Sequence, residues 1–125
     1  MKVFRRIFAL LLVVALMAAM PPSAFAASAS RTVRYGGYDY ECYAQCGSST
    51  AYASTETDCS TSKVKVRADV REGTKIRQWL ESNPVYGTAS VYFPSLTGHN
   101  NLYARHYVLD VDGTTLLLAH TVNCP

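Results

Sequence analysis

The sequence predicts an all-β domain, a small disulfide-stapled antiparallel β-sandwich or barrel. Three observations carry this. Several segments alternate apolar and polar side chains with period two. Turn dipeptides such as Glu72-Gly73 and Asp112-Gly113 punctuate them. Four cysteines, Cys42, Cys46, Cys59 and Cys124, supply an even number of thiols for stapling.

Arg34 to Cys46 alternates, with Tyr38, Tyr40, Cys42, Ala44 and Cys46 on one face, and Gly47-Ser48-Ser49 ends it. The following run places Ala51, Ala53, Thr55, Thr57 and Cys59 together. A two-residue loop at Ser48-Ser49 then sets Cys46 opposite Ala51 and Cys42 opposite Thr55 on the inner face. Lys63 to Arg71 is the clearest strand: Val64, Val66, Ala68 and Val70 alternate with charged residues. That pattern describes a strand with one buried and one wet face. Thr74 to Ser82 fits both a helical face (Ile76, Trp79, Leu80) and a strand folded back through Glu72-Gly73 (Ile76, Gln78, Leu80); its β neighbours favour the strand. Val85 to Phe93 points Gly87, Ala89, Val91 and Phe93 inward and Tyr86, Thr88, Ser90 and Tyr92 outward. Leu102–Val111 and Thr114–Val122 flank Asp112-Gly113, the strongest hairpin signal in the chain. Apolar residues on both of their faces mark them as central strands.

The N-terminal order is that of a secretory signal peptide. Lys2, Arg5 and Arg6 precede an apolar run from Ile7 to Met20, then Pro21-Pro22 and the triplet Ala24-Phe25-Ala26. Cleavage is expected after Ala26, leaving a single secreted β-rich domain, residues 27–125. The apolar run is shorter than the roughly 20 residues of a bilayer-spanning helix, so no stable membrane anchor is expected after cleavage. Removal of Lys2, Arg5 and Arg6 leaves nine basic residues against nine acidic ones. A chain so balanced lacks the standing positive field of a nucleic-acid binder. Lys63, Lys65 and Arg67 alternate on a strand, but Asp69 and Glu72 follow, so this reads as a solvated face.

In a small exported chain the cysteines read as two disulfides. Cys42–Cys46 is disfavoured, because residues four apart on a strand are about 13 Å apart and a bridge needs Cα atoms within roughly 7 Å. The expected pairs are Cys42–Cys59 and Cys46–Cys124. The cysteine spacings do not form the paired motif of a zinc site, and no metal or cofactor is expected. With the turn at Asp112-Gly113, Val111 pairs with Thr114, Arg105 faces His120, and His106 faces Ala119. The two histidines then point to opposite sides of the sheet, and a joint site would need a bulge between them. His99 belongs to the loop from Pro94 to Asn101. No serine sits in a nucleophile elbow, and no spacing selects a carboxylate pair, so no catalytic residue is assigned.

Nine tyrosines suit a recognition surface. The outward row Tyr86, Thr88, Ser90 and Tyr92 is the expected binding face, for an extracellular protein or glycan. The expected function is a secreted, non-catalytic binding module. A bacteriocin-like or toxin-like antimicrobial protein is the alternative, and a small secreted hydrolase the third.

Overall fold

The structure, a computed structural model, describes residues 27–96 and 101–125. The expected signal peptide and His99 lie outside the described residues. The described residues form eight strands: β1 Ala27–Tyr35, β2 Tyr38–Cys46, β3 Ala51–Thr57, β4 Lys63–Glu72, β5 Lys75–Glu81, β6 Thr88–Phe93, β7 Asn101–Asp110 and β8 Gly113–Asn123. They form two four-stranded sheets, β1-β2-β3-β6 (sheet A) and β5-β4-β7-β8 (sheet B), with every pair antiparallel. The sheets stack face to face as a sandwich rather than closing into a barrel.

Alternation decides what the sandwich buries. Tyr40, Cys42, Ala44 and Cys46 of β2 face inward, as do Val64, Val66, Ala68 and Val70 of β4. Ala89, Val91 and Phe93 of β6 and Leu102, Ala104 and Val108 of β7 complete the inner layer. The β2–β3 register is the expected one, with Cys46 opposite Ala51 and Cys42 opposite Thr55. The β4–β5 hairpin turns at Gly73, whose φ of 63° lies in the left-handed region glycine tolerates.

Four expectations are corrected. The segment from Arg34 to Cys46 is not one strand: Gly36 and Gly37, both at positive φ, turn β1 back onto β2 and pair Tyr35 with Tyr38. The strand over 85–93 begins at Thr88, and Val85 instead makes an isolated bridge to Val64 across to sheet B. β8 is an edge strand, not a central one. Its apolar character reflects a bulge, described below, that puts Leu116 and Leu118 on opposite sides of the sheet.

The last correction concerns the cysteines. Cys46 and Cys124 are bridged with Cα atoms 5.0 Å apart, linking β2 of sheet A to the residue after β8 of sheet B. Cys42 and Cys59 are buried free thiols. Cys59 lies four residues beyond Cys42's partner Thr55, and the β2–β3 pairing runs without a shift. Cys59 follows the end of β3, and its thiol lies beside Tyr40 and Thr61 instead of Cys42.

Candidate functional site

Three arrangements of polar side chains stand out: the outer face of sheet A, the outer face of sheet B, and a histidine pair between the sheets.

On sheet A the registers build a lattice. Across the strands β1, β2, β3 and β6 its rows read Ser28, Gln45, Tyr52, Tyr92; then Ser30, Tyr43, Ser54, Ser90; then Thr32, Glu41, Glu56, Thr88. Nine of these twelve positions carry a hydroxyl and none is aliphatic. The Tyr43 hydroxyl donates to Gln45 Oε1 at 2.5 Å, and the Tyr43 and Tyr52 rings lie 6.1 Å apart, tilted. Burial pushes the Tyr43 hydroxyl above its ordinary range, so it stays a donor. Tyr92 is 49% exposed beside Tyr52. Three of the expected binding residues, Thr88, Ser90 and Tyr92, thus sit together on this face. Tyr86 does not join them. It precedes β6, and its ring lies under Lys63 of sheet B, 5.4 Å from Nζ.

On sheet B the buried group is an acid. Asp69 lies on the outer face of β4 yet is fully buried. Its cross-strand neighbours are Trp79 on β5 and Tyr103 on β7. Arg67 Nε reaches Oδ1 at 3.2 Å, and Arg71 and Arg105 reach Oδ2 at 3.1 and 3.3 Å. The guanidiniums lie on the rings: Arg67 is 4.4 Å from the Trp79 centroid, and Arg71 and Arg105 are 4.5 and 5.5 Å from that of Tyr103. The expected solvated face is therefore an ordered network of cations and rings around one carboxylate.

Between the sheets, the structure joins what the expected hairpin kept apart. The β7–β8 turn pairs Asp110 with Gly113, so its loop is Val111-Asp112, with Gly113 at a φ of 118°. A shift between His106 and Tyr107 then leaves Leu117 unpaired on β8. The two departures together change the register by one, which brings His120 to the inner side with His106. Their Nε2 atoms are 2.9 Å apart, and Thr55 Oγ1 lies 2.8 Å from His106 Nδ1.

Hydrogen-bond accounting assigns the protons. The single hydroxyl proton of Thr55 goes to the Lys65 carbonyl at 3.3 Å. Thr55 Oγ1 therefore accepts from His106 Nδ1–H, His106 Nε2 is bare, and it accepts from His120 Nε2–H. A second proton on His106 would require His120 to shift its own proton to Nδ1. Burial, and then the neighbouring His120, push His106 down to about 3. Burial and Arg31 lower His120 as well. Both ring nitrogens of His106 are engaged and the residue is fully buried, so it acts as a cross-link between sheets. Cys42, inward beside this chain and opposite Thr55, is pushed up to about 12 by burial and then Glu41, which keeps it a thiol. Among the described residues, no group of three His, Cys, Asp or Glu side chains is placed to hold a metal ion.

Sequence reasoning missed the histidine pair and the Asp69 network. The signal for the first was the run Leu116-Leu117-Leu118, which breaks alternation where a bulge belongs. The signal for the second was an acid alternating with arginines on a wet face. Compared with protein-family models, with curated proteins and with solved structures, the chain finds no match.

Proposed function

We propose that the chain is an exported, non-catalytic binding domain that holds a neutral polysaccharide on the outer face of sheet A. The observation that carries this is the hydroxyl lattice with Tyr52 and Tyr92 side by side. Sugar rings offer C–H faces to a tyrosine ring and hydroxyls to the exposed Ser and Thr side chains, whereas Gln45 is buried under Tyr43. A protein partner would instead call for an apolar centre in its interface, and the lattice has no aliphatic side chain. Export is supported by the order of charge, apolar run and Ala24-Phe25-Ala26, and it agrees with a disulfide between Cys46 and Cys124.

The test is co-sedimentation and titration calorimetry of the purified protein against soluble and insoluble neutral polysaccharides. Binding that falls about tenfold or more in Tyr92→Ala, a loss of roughly 1.4 kcal/mol, supports the reading. No binding across the panel, together with growth inhibition of bacteria by the protein, replaces it with the antimicrobial role. Turnover of a glycoside, ester or peptide that a single polar substitution abolishes replaces it with a hydrolase.

A further inference from the structure

We infer that the outer face of sheet B is a second binding surface, for a linear polyanion bearing phosphate or sulfate groups. Five cations, Lys63, Lys65, Arg67, Arg71 and Arg105, share this face with two carboxylates, Asp69 and Glu81. The carboxylates do not neutralise it. Asp69 faces three guanidiniums, and Glu81 meets Lys65 at 3.5 Å. The surplus is positive, while the domain as a whole is balanced once Lys2, Arg5 and Arg6 are removed. Such a concentration of one sign attracts the opposite sign.

The geometry adds order to the charge. Side chains two apart on a strand repeat at about 7 Å, so Lys63, Lys65, Arg67 and Arg71 form a row along β4, with Arg105 beside Arg67. Arg67, Arg71 and Arg105 are held in place by Asp69 below and by aromatic rings alongside, so little freedom is left to lose when an anion arrives. A guanidinium fork suits a tetrahedral oxyanion.

The same contacts choose among polyanions. A single-stranded nucleic acid takes its affinity from bases stacked on free aromatic faces. Here the rings of Trp79, Tyr103 and Tyr107 already carry Arg67, Arg71 with Arg105, and Lys65. Tyr103 and Tyr107 are half-buried under these cations, and of the three rings Trp79 alone, 55% exposed, leaves surface open to a base; the face offers more charge than stacking area, which suits a polymer of anions without bases.

The test uses the purified protein in titrations with inorganic polyphosphate, heparin, neutral dextran and oligo-dT. Polyphosphate, heparin or both are expected to bind at 50 mM salt and to weaken at least tenfold by 200 mM; which of the two binds identifies phosphate or sulfate as the anion. Lys63→Gln combined with Lys65→Gln, which leaves Asp69 and its arginines intact, is expected to weaken binding several-fold with unchanged circular dichroism. Arg105→Gln is expected to weaken it further, and Tyr92→Ala on the opposite sheet to leave it unchanged. No binding of either polyanion at 50 mM salt, dextran binding that the same lysine variants weaken equally, or tighter binding of oligo-dT overturns the inference.

Discussion

His106 and His120 meet inside the sandwich, Nε2 to Nε2 at 2.9 Å, because β8 carries one residue more than β7 needs. Burial of this pair ties stability to pH. His106 is held at about 3 against an ordinary 6.5, so below pH 6.5 the unfolded chain binds a proton that the folded chain refuses. The contribution is complete above pH 6.5 and is lost as pH falls toward 3, by up to about 1.4 kcal/mol per pH unit. Urea unfolding at pH 7.5, 6.5, 5.5 and 5 is expected to show this slope. His106→Gln is expected to be less stable at pH 7.5 but flatter below 6.5; an equally steep slope in the variant would remove the pair as its source.

Leu117 matters first as a count and only second as a side chain. Deleting it moves Leu118 to Asn123 by one position and turns His120 outward. The deletion is expected to abolish the cooperative unfolding transition. Leu117→Ala keeps the count and removes part of a side chain packed against the core, at a cost of about 1–2 kcal/mol. Thermal melts of the two variants separate these effects.

Asp69→Asn leaves three guanidiniums around a neutral amide. Breaking a buried ion pair costs about 3–5 kcal/mol, and the part-exposed arginines bring the expected loss toward the lower end. Because the loss includes repulsion among cations, 1 M salt is expected to reduce it. A loss that does not change with salt would point to packing instead.

The thiols are expected to differ in reactivity. A thiol assay on the native protein should find almost none reactive, and two after unfolding in guanidinium. Cys42, pushed up to about 12, should be the last to alkylate. At Cys59 burial acts upward, but hydrogen bonds with Thr61 and Ser62 prevail and lower it, so it should label first as the native state opens locally. Peptide mapping without reduction should find Cys46 joined to Cys124. Loss of that bridge by Cys124→Ser is expected to cost about 4 kcal/mol, as for the closure of a long loop.

The sandwich was legible where side chains alternate and a turn fixes the count. Lys63 to Arg71 and the Cys46–Ala51 register follow from period two and a short loop. Gly36-Gly37 was legible too, as a two-glycine turn between tyrosines, but the alternation running through it disguised the turn as continuous strand. The histidine pair was not, because one residue of slippage reverses every face downstream, and pattern alone does not place a bulge to one residue. Of the expected binding residues, Thr88, Ser90 and Tyr92 share a face by parity within β6. Tyr86 left them because Val85 is drawn to Val64. Asp69 was hidden because composition reports a carboxylate among cations, and only the neighbouring strands supply the rings that bury it.

The Cys46–Cys124 link also decides how the molecule would carry a mechanical load. Ala27, at the start of β1, pairs with Cys46, and Pro125 follows Cys124. A pull applied at Ala27 and Pro125 would run through β1 and β2 into the disulfide and out again. Residues 47 to 123 would lie outside that path. Traction would peel β1 and β2 and then stop at a covalent tether, while the rest of the sandwich bore no tension. Only after reduction would extension reach β3 to β8.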